Sequence, residues 1–126
     1  MQYGNAAGAY QRNSILNASP EKLVVLMYDG AIQHLERARI GLRSPSQQYS
    51  SNVGMSLGKA LAIISELRAT LDHERGGEIA ANLDRLYDYC VEQISATNIE
   101  RRPDPIEAPI EVMKTLREGW NGVVPT

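Results

Sequence analysis

Apolar positions fall at helical spacing in four stretches of this chain, separated by breaks that are polar or carry glycine and proline. The first stretch opens at Ser19-Pro20-Glu21. That is a hydroxyl able to cap a helix, a proline for its first turn and an acid at its positive end. Beyond it Leu23, Met27, Gly30, Ala31, His34 and Ala38 share one face, and Val24, Leu35 and Leu42 widen that face. The run Leu23–Tyr28 alone fits a buried strand as well as a helix. The cap before it and the spacing after it predict a helix from about Pro20 to Leu42. Residues 43–52, RSPSQQYSSN, read as turn and loop.

In the second stretch Val53, Leu57, Ala60, Ile64, Leu67 and Leu71 alternate steps of four and three, with Leu61 and Ile63 on opposite shoulders. Gly54 and Gly58 each weaken its start by about 1 kcal/mol relative to alanine. Gly76-Gly77 is expected to end this helix, and Glu78 to open the third. The third stripe is Ile79, Leu83, Leu86, Cys90 and Ile94, with Tyr87 and Val91 beside it and Tyr89 pointing away. Leu83 and Leu86 are therefore expected in the core. Pro103, Pro105 and Pro109 interrupt residues 98–109. A last helix then carries Ile106 or Ile110, Met113, Leu116 and Trp120.

Residues 1–18 show no period and read as an irregular N-terminal arm, with Tyr3, Tyr10, Ile15 and Leu16 as its sizeable apolar groups. The expectation is an all-α fold: an antiparallel, up-down-up-down four-helix bundle forming a single domain over residues 19–126, preceded by the arm.

Composition narrows the function more than the fold. Thirteen Lys and Arg against fifteen Asp and Glu leave a net charge of −2, without the basic footprint of a nucleic-acid binder. One cysteine, Cys90, excludes an internal disulfide framework and fits a reducing compartment. No apolar run approaches the ~18 residues of a membrane span, so an intracellular protein without membrane insertion is expected. The histidines, His34 and His73, do not follow a glutamate at the Glu-x-x-His spacing of di-metal bundles, and a zinc site lacks ligands. No glycine-rich phosphate loop or nucleophile pattern is present. Neither an enzyme nor a cofactor or small-molecule substrate is expected. What remains is apolar surface, since Leu61 and Ile63 broaden the second helix and Val25 and Ile32 lie nearly opposite the main stripe of the first. Such surface is either covered by neighbouring helices or left as a groove for a partner segment.

The stretches GGEIAANLDRLYDYC (76–90), YQRNSILNASPEKLVVLMYDGA (10–31) and KALAIISELRATLDHERGGEIA (59–80) are more particular than generic helix. Together they resemble the flagellin-specific export chaperone family, FliS, over about residues 10–99, with a weaker continuation through IEVMKTLREGW (110–120). The resemblance implies a small cytoplasmic four-helix bundle that binds the disordered C-terminal segment of flagellin and prevents premature polymerisation before type III flagellar export. The flagellar export gate or a regulator of flagellin synthesis would be further partners. The alternative is a structural or regulatory four-helix module for another amphipathic helix. The partner surface is expected on the shoulders of helices 2 and 3, at Leu61, Ile63, Tyr87 and Tyr89. The arm, anchored by Tyr10, Ile15 and Leu16, is expected to fold back as a weakly held plug that flagellin displaces.

Overall fold

The computed structural model describes residues 19–121, and over them the chain forms four α-helices. Helix α1 spans Pro20–Leu42, and the Ser19 hydroxyl accepts the Lys22 N–H at 3.2 Å, as the sequence predicts. Helix α2 spans Ser51–Ala69, capped by Ser50, whose hydroxyl accepts the Val53 N–H. Helix α3 spans His73–Glu100 and helix α4 spans Asp104–Asn121. α1 packs on α2 and α4, and α3 packs on the same two, so α1 and α3 face each other across the diagonal of an all-α four-helix bundle.

The core is built from the periodic positions, with one stripe read correctly throughout α2. Val53, Leu57, Ala60, Ile64 and Leu67 are all buried. Opposite them on α1 lie Ala31, Leu35, Ala38 and Leu42. The two helices approach closely at Gly41, where a Cβ would sit 2.5 Å from a methyl of Val53. α4 contributes Ile106, Ile110 and Met113. Between α1 and α4 the bundle is stitched by Arg39 and Arg43 on Glu107, Lys114 on Glu36, and Arg117 on Asp29. Between α2 and α3, Arg68 holds Asp84 at 2.8 Å and Asp88 at 3.0 Å.

Four expectations are corrected. The α1 face turns toward Tyr28, which is fully buried, while Leu23, Met27 and His34 are only half-buried. α2 ends at Ala69 and not at Gly76-Gly77: the Asp72 carboxylate caps α3 by accepting the Arg75 N–H, so both glycines lie inside α3. There Gly77 makes a kink at φ 50°, ψ −121°, a conformation open to glycine. The buried stripe of α3 is Ala80, Tyr87, Cys90, Ile94 and Thr97. Leu86 is 39% exposed, Ile79 is 72% exposed and Leu83 is half-buried, so the expected core roles of Leu83 and Leu86 do not hold. Finally, α4 runs through both Pro105 and Pro109. Pro105 sits in the first turn, where N–H groups lack helical acceptors, and Pro109 is buried, so its ring packs in the core where its N–H is missing.

Candidate functional site

All four helices contribute to one groove, of about 670 Å³, at the end of the bundle where α1 and α3 begin. Leu23, Val24 and Met27 come from α1, Leu67 and Leu71 from the end of α2 and the turn after it, and Trp120 from α4. The third wall is the start of α3, where Ile79 and Leu83 stand past the Gly77 kink. These side chains form a nearly continuous apolar surface, with Asp72, Thr70 and Arg75 as polar members of the lining. Val24, Met27, Leu71 and Leu83 are half-buried although each packs against the core, and Leu23 is half-buried beside them. Their outer surfaces are what the groove presents.

The floor is different in character. Tyr28 and Tyr87, 0% and 2% exposed, meet hydroxyl to hydroxyl at 2.5 Å. Burial raises the Tyr28 hydroxyl above its ordinary pKa, against the opposing hydrogen bonds of Tyr87 and Trp120. Burial raises Tyr87 strongly, and its bond to Tyr28 adds to the effect. Both are therefore neutral donors and acceptors at any physiological pH. Cys90, in the same stripe, is pushed up to about 11 by burial and is a protonated thiol, without nucleophilic character.

A smaller cavity of about 250 Å³ lies between α2 and α3 toward the other end, where Leu61 faces Ile94 and Ile99. His34 sits apart from both cavities, half-buried, with a buried Nδ1 that has no partner among the described residues. Burial, then Lys59 and Arg37, hold its imidazole below the ordinary histidine pKa. Among the described residues no group of three or more His, Cys, Asp or Glu could hold a metal ion, and no helix is long and apolar enough to cross a membrane.

The shoulder residues singled out in the sequence do not converge. Leu61 looks toward α3 in the smaller cavity, whereas Ile63 packs toward α1, 3.2 Å from where a Cβ on Gly30 would be. Tyr87 lies in the groove floor as a core residue, and Tyr89, two residues on, is 43% exposed on another face of α3. Tyr10 and Ile15 lie outside the described residues, as does the whole arm. Sequence reasoning missed Ile79 and Trp120 as groove residues by assigning both to core stripes. The Gly76-Gly77 pair just before Ile79 was the available signal, because a kink there resets the helical phase.

The chain is 37% identical over 108 residues to the flagellar secretion chaperone FliS of Vibrio cholerae, covering 86% of this chain and 77% of that protein. It is 35% identical over 123 residues to the protein of the same name from Campylobacter jejuni, covering 98% and 94%. To the flagellar secretion chaperone FliSB of Pseudomonas aeruginosa it is 33% identical over 118 residues, covering 90% and 91%. These are chaperones by name, a non-enzymatic class, and this chain is not an enzyme. With the family of the flagellar protein FliS matching residues 3–126 as well, the chain belongs to the FliS family.

Proposed function

We propose that this protein is a flagellar export chaperone of the cytoplasm that holds the C-terminal segment of flagellin before type III export and so prevents premature polymerisation. The observation that carries the reading is the end groove, an apolar surface of about 670 Å³ to which every helix of the bundle contributes. A polymer-forming tail with an apolar face pairs with other tails once concentrated. Seating that face against Leu23, Met27, Leu71 and Ile79 removes it from that reaction, and the ordering entropy of the tail is lost on binding instead of in a filament. No nucleotide is required, since the contact is apolar burial.

Pro20, the first residue of α1, lines the groove, and residues 1–18 precede it closely in the chain. The residues between Tyr10 and Ser19 span up to about 30 Å when extended. This supports the arm as the groove's occupant in the free protein, with Tyr10 and Ile15 as anchors that flagellin displaces. Calorimetric titration with flagellin, intact and without its C-terminal segment, tests the function. Binding of the intact protein alone is expected, and undiminished binding of the truncated one overturns the assignment.

A further inference from the structure

Two hydroxyls stand at the floor of a largely apolar groove. Tyr28 reaches in from α1 and Tyr87 from α3, across the bundle diagonal, and they meet at 2.5 Å. Each hydroxyl has one hydrogen to donate, and the single bond between them uses one of the two. The Trp120 indole, also beside Tyr28, brings a further donor and no acceptor. Among the described residues, neither hydroxyl has a carbonyl, carboxylate or amide oxygen to take the remaining hydrogen. Among the described residues one donor is therefore left over, whichever way the pair is oriented, and both rings, buried themselves, line the same groove.

We infer that the Tyr28–Tyr87 pair determines specificity in this groove by donating its spare hydrogen to a carbonyl oxygen of the bound peptide. The inference rests on the reading of the groove as the seat of the flagellin segment. Its consequence is selective. Carbonyls inside a helix are already engaged four residues on, whereas the last turn of a helix and extended backbone have free ones. The apolar walls accept any greasy helix face; the floor accepts a segment that brings a helix end, an extended stretch or an Asn or Gln side chain to the tyrosines. A site that must hydrogen-bond its ligand rejects one that leaves its donor unpaired.

The test uses the full chain and a synthetic peptide of the flagellin C-terminal segment, titrated calorimetrically into wild type and the double variant Tyr28→Phe/Tyr87→Phe. Both rings stay, so circular dichroism and the melting curve are expected to remain those of a folded bundle while binding weakens about tenfold, which is about 1.4 kcal/mol. Peptides are then made with one backbone amide replaced by an ester, or one Asn or Gln replaced by Ala. A single such change is expected to weaken binding to wild type and leave binding to the double variant unaltered. An ester at that place identifies a main-chain carbonyl, an alanine a side-chain amide. Ultraviolet resonance Raman spectra of wild type report the same event without a variant, as a tyrosine becoming a stronger donor on binding. Equal affinity of the double variant, equal effect of every peptide change on both proteins, or unchanged tyrosine bands overturns the inference alone. Failure of wild type to bind the peptide removes the functional reading and the inference with it.

Discussion

Ile79 offers the sharpest separation of fold from function. It lines the groove yet is 72% exposed, so the bundle makes little use of it. Replacing it by Asp puts a carboxylate in the first turn after the Gly77 kink, where negative charge suits the helix dipole, and exposed substitutions of this kind change stability by about 0.5 kcal/mol or less. Binding is another matter. Full burial of an isoleucine contributes about 1.5–3 kcal/mol, so a ligand covering the exposed three-quarters gains about 1–2 kcal/mol from this side chain. A carboxylate forfeits that gain and adds its own desolvation against an apolar partner, and together these predict roughly 100-fold weaker binding, about 2.7 kcal/mol. The assay is a calorimetric titration with the flagellin C-terminal segment beside a urea melt of each protein. An unchanged dissociation constant with an unchanged melt refutes the groove as the binding surface. A collapsed melt refutes the burial argument. Ile63→Asp, suggested by its place on a helix shoulder, discriminates poorly, because Ile63 packs half-buried against α1 and its loss is expected to weaken the fold itself.

Ile94→Ala removes a side chain 1% exposed and is expected to cost about 2–5 kcal/mol, while Leu86→Ala, at 39% exposure, is expected to cost less than about 1.5 kcal/mol; denaturant midpoints read the difference and with it the phase of α3. Gly77→Ala forces φ 50° on a residue with a Cβ and is expected to cost about 1–3 kcal/mol in the same melt. Burial, then Lys59 and Arg37, lower the His34 pKa, so the unfolded chain takes up that proton first. Stability is therefore full above about pH 6.5 and falls as the pH drops through it toward the folded value, a loss that His34→Gln is expected to remove from midpoints measured across that range.

The parts of this fold that were legible in the sequence are those decided locally. Ser19-Pro20 places the start of α1 because capping involves only neighbouring atoms, and the α2 stripe is right at all five buried positions because apolar side chains face the core with nothing to override them. α3 was misread because its burial depends on distant partners. Tyr87 goes inside since its hydroxyl meets Tyr28, 59 residues away, whereas Thr97 can go inside because its hydroxyl bonds the Gln93 carbonyl one turn back in its own helix. Neither partner is visible in a hydropathy pattern. Ile79 was placed inside because periodicity cannot distinguish a filled core position from one at an open groove. The Asp72 cap is legible in principle, as an acid just before a helical run, but the expected break rests on Gly76-Gly77 alone and gives Asp72 no capping role. The prolines of α4 misled for a related reason: their effect depends on whether the lost N–H had an acceptor and whether the ring packs, and both are settled by the tertiary fold.

An apolar cavity at the end of a small bundle ought to close, since half-buried Leu23, Met27, Leu71 and Leu83 would each gain by collapsing inward. What stands in the way is polar and specific in distance. Arg117 on Asp29 fixes α4 against α1 near the groove, and Arg68 on Asp84 and Asp88 fixes α2 against α3. Exposed ion pairs add little stability, so their consequence here is spacing. Across the diagonal, where neither pair reaches, the two tyrosines meet tip to tip, and shortening that distance would drive oxygen into oxygen. The far end is also tied by ion pairs, Arg39 and Arg43 on Glu107, but among the described residues has no buried hydroxyl pair across the diagonal, and it closes on Leu42, Val53 and Ile106. Among the described residues, one end of the bundle is thus closed by its own side chains, and the other is a core without its last apolar face. A bound segment supplies that face, so burial that residues 19–121 leave unrealised among themselves becomes the driving force for binding.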